Sequence, residues 1–183
     1  IAQYYMGEMR HRGVGLDQDL LKAAEWYRKA GIGGEVEAQF NLGLMYMRGD
    51  GVEKDLTHAA VWFHKAANQG EHEAQFNLGF LYARGAGVPR DPVMSAYWYR
   101  QAAEQGDAKA QYYLGRSYLA GEGLPQIGRE AFQWFHKAAA QDHPEAQAAI
   151  GLMYLWGEIV NKDRAKAIEW LTKAANQGNK LAK

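Results

Sequence analysis

The side chains able to do chemistry are few in this chain of 183 residues: six histidines (His11, His58, His64, His72, His136 and His143), Ser95, Ser117 and no cysteine. Without thiols there is no disulfide, thiolate metal ligand or cysteine nucleophile in this stretch, which leaves the compartment open. His64 and His136 stand 72 residues apart in one sequence column, with Arg100 between them and Arg28 and Thr172 beyond. Metal–ligand bonds of about 2 Å cannot span two layers of a repeat, so this column reads as a solvated helix face. No His-Glu-x-x-His pair, phosphate-binding loop or dinucleotide glycine pattern before a strand is present. The Gly-Asp-Gly-type pieces follow helices and recur in every repeat, whereas a phosphate site needs one special loop. The expectation is no catalytic, metal-binding or cofactor-binding residue.

Composition narrows the class further. The 21 basic and 21 acidic residues cancel, which argues against a nucleic-acid partner, since phosphate binding wants a clustered excess of Lys and Arg. With 48% hydrophobic and 23% charged residues the chain is ordinary globular material. No apolar run approaches the roughly 18 residues needed to cross a bilayer, and no signal-peptide pattern is visible.

The elements that position these residues are periodic. Ala-Gln recurs at Ala2-Gln3, Ala38-Gln39, Ala74-Gln75, Ala110-Gln111 and Ala146-Gln147, in steps of 36 residues. In the same register stand Gly7, Gly43, Gly79, Gly115 and Gly151, then Gly13, Gly49, Gly85, Gly121 and Gly157. Tryptophan follows at Trp26, Trp62, Trp98, Trp134 and Trp170, and alanine at Ala30, Ala66, Ala102, Ala138 and Ala174. Fixed-period self-similarity of this kind is the signature of a repeat architecture. The repeats are expected at about 1–36, 37–72, 73–108, 109–144 and 145–180, as a single repeat domain over 1–183 with a sixth copy starting at 181–183.

Each copy reads as two helices, so the fold class is all-α. In the second copy the first helix is predicted from about Glu37 to Arg48, with Ala38, Leu42, Met45 and Tyr46 on one stripe, stopping at Gly49-Asp50-Gly51. The second begins after Asp55, with Ala59, Trp62, Phe63, Ala66 and Ala67 facing inward. Asp19, Asp55, Asp91 and Asp163 share the N-cap column; Ile127 breaks it, so the second helix of copy four is expected to start less sharply near Gly128. Lys29, Lys65, Lys137 and Lys173 fall in the last turn, where positive charge suits the helix dipole. Gly43 and its equivalents weaken the middle of a helix by about 1 kcal/mol each, which implies close approach; the expected neighbour is the Trp62-type ring of the paired helix.

The pattern Glu37-Ala38-Gln39-Phe40-Asn41-Leu42-Gly43-Leu44-Met45-Tyr46, Gly49-Asp50-Gly51-Val52, Asp55 and Ala59-Ala60-Val61-Trp62-Phe63-His64-Lys65-Ala66-Ala67-Asn68-Gln69-Gly70 resembles the Sel1-like repeat, a relative of the tetratricopeptide repeat. The likeness covers essentially the whole chain. Its departures are Ile159 for the third loop glycine, Asp142 for the closing glycine of copy four, and Gly31-Ile32-Gly33-Gly34, expected to shorten the helix end in copy one. The resemblance implies a right-handed α-α superhelix, a solenoid acting as a scaffold for protein–protein contacts in bacterial envelope and signalling proteins and in eukaryotic degradation adaptors. By analogy with tetratricopeptide grooves, the first helices line the concave side, with Glu37, Phe40, Leu44, Met47 and Arg48 inward in copy two.

Three columns follow from that analogy: Tyr4, Phe40, Phe76, Tyr112 and Ala148; Glu8, Leu44, Phe80, Arg116 and Leu152; Arg12, Arg48, Arg84, Ala120 and Trp156. Helices packed about 8–10 Å apart would space the arginines for an extended peptide with acidic and aromatic side chains. The competing reading has the aromatics packing one repeat on the next and the arginines serving the helix dipole. Other expectations are a structural spacer within a larger polypeptide, or end-to-end self-association, because neither terminal repeat carries a polar cap; the chain then reads as a piece of a longer array. Cysteine-rich relatives have been linked to β-lactam hydrolysis, but Ser95 and Ser117 are followed three residues on by Trp98 and Ala120 rather than lysine.

Overall fold

The computed structural model describes residues 1–179, so the sixth copy expected at 181–183 lies outside the described residues. The chain divides into two compact units, Ile1–Asp91 and the residues from Pro92 onward. The first unit holds α1 (Ala2–Arg12), α2 (Leu20–Ile32), α3 (Val36–Arg48), α4 (Leu56–Asn68) and α5 (His72–Arg84). The second holds α6 (Pro92–Glu104), α7 (Ala108–Ala120), α8 (Gly128–Ala139), α9 (Pro144–Trp156) and α10 (Arg164–Asn176). Among the described residues every regular element is an α-helix. Within each unit a helix packs on the next one in the chain, as short connections favour.

The helix ends follow the predicted chemistry. Gly13, Gly49, Gly85, Gly121 and Gly157 all take left-handed conformations just past α1, α3, α5, α7 and α9, where a Cβ would be strained. Asp19 accepts from the Lys22 amide, Asp55 from the Thr57 and His58 amides, and Asp163 from the Lys166 amide. Ile127 makes no such bond, yet α8 starts at Gly128, in register with Leu56 of α4, so the lost cap does not delay the start; the residue by which α8 is shorter than α4 is at its C-terminal end, Ala139. Asp142 takes the place of a closing glycine by adopting φ 61° itself, while its carboxylate accepts from Gln147 Nε2 at 3.3 Å.

Two expectations are corrected. Gly31 does not shorten the end of α2, which keeps 13 residues. It sits inside the helix because Trp62 and Gln39 press on it: a Cβ there would stand 3.1 and 3.2 Å from them. Nor is Trp62 the ring that lies against Gly43. That ring is Phe63, whose carbons come within 2.7 Å of where a Gly43 Cβ would be; Gly7 with Tyr27, Gly115 with Phe135 and Gly151 with Leu171 repeat the contact. Successive helical residues point about 100° apart, so residue 63 faces its own first helix while residue 62 faces the preceding repeat. Trp62 accordingly joins the core of Tyr27, Ala30, Leu42 and Met45. Trp62 seals the junction between the first two copies, and Phe63 seals its own helix pair.

The Ala-Gln signature has a polar function in the same junctions. Buried Gln39, Gln75, Gln111 and Gln147 each donate through Nε2 to a carbonyl eight residues earlier, at the end of the preceding helix: Gly31, Ala67, Ala103 and Ala139. Gln39, Gln111 and Gln147 also accept from Gln69, Gln141 and Gln177 at 2.8–2.9 Å. Helix-end carbonyls lack intrahelical partners, and an amide side chain supplies a donor where water cannot reach. Beside it, a Cβ on Ala38, Ala74, Ala110 or Ala146 is wholly buried.

Candidate interaction surface

The sequence-predicted surface residues all fall on first helices: Tyr4 and Arg12 on α1, Phe40, Leu44 and Arg48 on α3, Phe76, Phe80 and Arg84 on α5, Tyr112 and Arg116 on α7, and Trp156 on α9. Their burial is graded. Tyr4, Phe40, Leu44, Phe76, Phe80 and Tyr112 are half-buried, whereas Arg12, Arg48, Arg84, Arg116 and Trp156 are exposed.

The inward edge of the aromatic column rests on the second helix of its own repeat. Ring centroids are 5.9 Å apart for Tyr4 and Tyr27, 6.0 Å for Phe40 and Phe63, and 5.6 Å for Tyr112 and Phe135. Those partners are the same residues that cover the helical glycines. One row of rings thus braces the next, which holds the column in place and leaves its outer edge at the surface. Tyr112 is further stacked on His143 at 4.9 Å; burial raises the phenol pKa of Tyr112 and lowers the imidazole pKa of His143.

The arginines behave differently from one another. Arg12 Nε pairs with Glu8 Oε2 at 2.9 Å. Glu8, in the column where α3 has Leu44, also accepts from the Tyr27 hydroxyl at 2.6 Å and from Asn41 Nδ2 at 3.4 Å, and burial with this bond pushes the Tyr27 phenol pKa far up. The first rung of the expected arginine ladder is therefore an ion pair. Arg84 instead lies over Phe80 at 4.7 Å, and Arg116 over Tyr112 and Tyr113 at 5.9 and 5.7 Å. Trp156 is 62% exposed, a large apolar ring facing solvent.

On the second helices, three features escaped the sequence reading. Lys29, Lys65, Lys137 and Lys173 do more than serve the dipole: each ammonium sits 3.9–4.6 Å over the tryptophan three residues earlier, which the i,i+3 spacing allows. The Arg28/His64/Arg100/His136 column is not simply solvated. Arg28 donates to the Tyr46 hydroxyl at 2.6 Å and Arg100 to Tyr118 at 2.7 Å, and His136 packs its ring 5.8 Å from Trp170. The signal was present as a tyrosine column (Tyr46, Tyr82, Tyr118, Tyr154) in the 36-residue register. Finally, Ile159 and Gly128 are partners: a Cβ on Gly128 would stand 2.9 Å from Ile159 Cγ1, so two departures from the repeat pattern are one compensated exchange.

Among the described residues no group of three His, Cys, Asp or Glu side chains could hold a metal ion. Ser95 and Ser117 are both buried within helices. No described helix is long and apolar enough to cross a membrane.

The Sel1 repeat matches five times, at residues 1–34, 36–71, 72–107, 108–143 and 144–179. No curated protein matches the chain. Among solved structures, a protective antigen present in uropathogenic Escherichia coli strains, displaying an SLR fold, is 37% identical with TM-score 0.93 over 97% of this chain; the chain spans 38% of that antigen's length. A Sel1 repeat protein from Oxalobacter formigenes is 38% identical with TM-score 0.86, covering 98% of this chain and 74% of its own. The Helicobacter pylori cysteine rich protein B is 25% identical with TM-score 0.56, over 73% of this chain and 96% of its own. With its repeat matched from end to end and its fold shared with these proteins, the chain belongs to the Sel1 repeat family.

Proposed function

We propose that the chain is a protein-interaction scaffold whose first helices, on the concave side of the family's solenoid, take an extended peptide segment bearing acidic and aromatic side chains. Sel1-repeat proteins are typically protein-interaction scaffolds, and the repeat is typically non-enzymatic. The observation that carries the finer reading is the posture of Arg84 and Arg116. Each guanidinium lies on an aromatic ring with its outer side exposed. A guanidinium held this way offers a carboxylate two parallel donors at a smaller cost in side-chain entropy than a free arginine. The half-buried rings of Phe40, Phe80 and Tyr112 supply rigid apolar area beside it.

A display library of random peptides selected against the intact chain tests this reading. The enriched sequences are expected to combine Asp or Glu with Phe, Tyr or Trp. Replacing Arg48 and Arg84 together by glutamate should weaken a selected peptide by at least about tenfold, while Arg129→Glu on α8 leaves its affinity unchanged. Equal affinity for the folded double variant, or enrichment of peptides without acidic residues, defeats the proposal.

A further inference from the structure

In the first unit the junction between α4 and α5 carries Thr57, Val61 and His64 where the junction between α2 and α3 has Leu21, Glu25 and Arg28, and a groove lies at the first of these. At α2–α3 the Arg28 guanidinium reaches across to the Tyr46 hydroxyl of the following helix. In the second unit Arg100 does the same to Tyr118 and also stands 5.9 Å from its ring centroid. At α4–α5 the corresponding residues are His64 and Tyr82. Imidazole is shorter than an arginine side chain, and here its Nδ1 lies 3.0 Å from Asn68 Nδ2, on its own helix. Where the guanidinium would lie, a groove of about 320 Å³ opens, lined by Ala60, Val61, Leu78, Val88, Tyr82 and the edge of His64.

We propose that this groove receives an arginine side chain of a partner polypeptide, in the place that Arg28 and Arg100 occupy at the equivalent junctions. Its methylene stem would lie along Ala60, Val61, Leu78 and Val88, and its guanidinium would donate to the Tyr82 hydroxyl. The lining holds no carboxylate and its charged side chain is Lys65; what a guanidinium meets there is the Tyr82 phenol, an acceptor oxygen and the negative face of a ring, the same partner that Arg28 and Arg100 find in Tyr46 and Tyr118. The nearby positive charge of Lys65 is no obstacle. Its ammonium is drawn over Trp62 at 4.2 Å, and Lys29 holds the same posture over Trp26 directly beside Arg28. The volume lies at the lower end of the range of about 300–1,000 Å³ typical of ligand clefts, which suits one long side chain rather than a folded segment.

The test uses N-acetyl-arginine methylamide as probe, with the norleucine and glutamate analogues as competitors of similar length, read by NMR shifts of the Val61 and Val88 methyls and the Tyr82 ring. The arginine probe should give saturable shifts at these groups with at least about tenfold tighter binding than norleucine. His64→Arg supplies the guanidinium from within the chain and should abolish the shifts; Tyr82→Phe, which keeps the ring but not the hydroxyl, should bring arginine close to norleucine. Binding of norleucine or glutamate as tight as arginine, no saturable shift with arginine, or undiminished arginine binding to a folded His64→Arg variant would each overturn the assignment.

Discussion

Exchanging Gly128 and Ile159 tests whether neighbouring copies are locked by a matched pair of loop and helix residues. In other copies the third loop glycine abuts the first residue of the preceding second helix. A Cβ on Gly51 would stand 2.3 Å from the Leu20 carbonyl carbon, one on Gly87 2.2 Å from that of Leu56, and one on Gly123 2.0 Å from the Pro92 oxygen. In the last copy the bulk has moved to the loop, as Ile159, and the space to the helix, as Gly128. Gly128→Leu alone drives a side chain into Ile159 and should destabilise by about 1–3 kcal/mol, offset by up to ~1 kcal/mol of helix propensity. Ile159→Gly alone loses a half-buried side chain and stiffens nothing, a loss of about 1–2 kcal/mol. Together they rebuild the Leu20–Gly51 arrangement, with glycine at 159 free to take the positive φ that Gly51, Gly87 and Gly123 show. The double variant should therefore be more stable than the sum of the singles by about 1–2 kcal/mol. Urea unfolding of all four proteins, followed by far-ultraviolet circular dichroism at constant m-value, measures the coupling. Additivity within about 0.5 kcal/mol would refute the idea that these two residues form one lock.

Three further outcomes are expected. Gly43→Ala should destabilise by about 1–2 kcal/mol in urea unfolding, although alanine favours helix, because the wholly buried Phe63 ring must move; a gain in stability would show that the ring yields freely. Gln39→Leu strips a donor from the Gly31 carbonyl and an acceptor from Gln69, and should lower stability by about 1–3 kcal/mol, more than Gln69→Ala at the exposed end of the same bond. Backbone amide donation from His58 and the contact with its ring hold the Asp55 carboxyl below its ordinary 3.8. The folded state then binds fewer protons than the unfolded chain, so stability is full above about pH 4 and is lost as pH falls below it. Asp55→Asn keeps a capping oxygen but removes this titration, so its melting temperature should fall less than wild type between about pH 5 and pH 3.

The repeat period, the helix pairs and their ends were legible because they rest on local chemistry. A glycine in left-handed conformation ends each first helix whatever surrounds it, and Asp55 caps α4 with its own side chain. The sequence also showed which residues could present arginine and aromatic side chains on first helices, and the helix spans place them there. It did not show that Arg12 is spent on Glu8, because that pairing arises from one acidic residue in a column that is apolar at Leu44 and Phe80. Column reading treats equivalent positions as alike, and a single changed neighbour breaks the equivalence.

Direction in space was the other thing hidden from the linear pattern. Trp62 and Phe63 are adjacent, both aromatic and both buried, yet one closes the junction with the preceding copy and the other lies on Gly43. Hydrophobic spacing identifies the buried arc of a helix but not which neighbour each part of the arc meets. The glutamine bonds between copies, the Arg28–Tyr46 strap and the Ile159–Gly128 exchange belong to the same class. Sequence by itself determined the helices and their repetition, through backbone conformation and caps that act within a few residues; only tertiary packing decided which side chains meet across copies, because those contacts depend on how one helix surface is set against another.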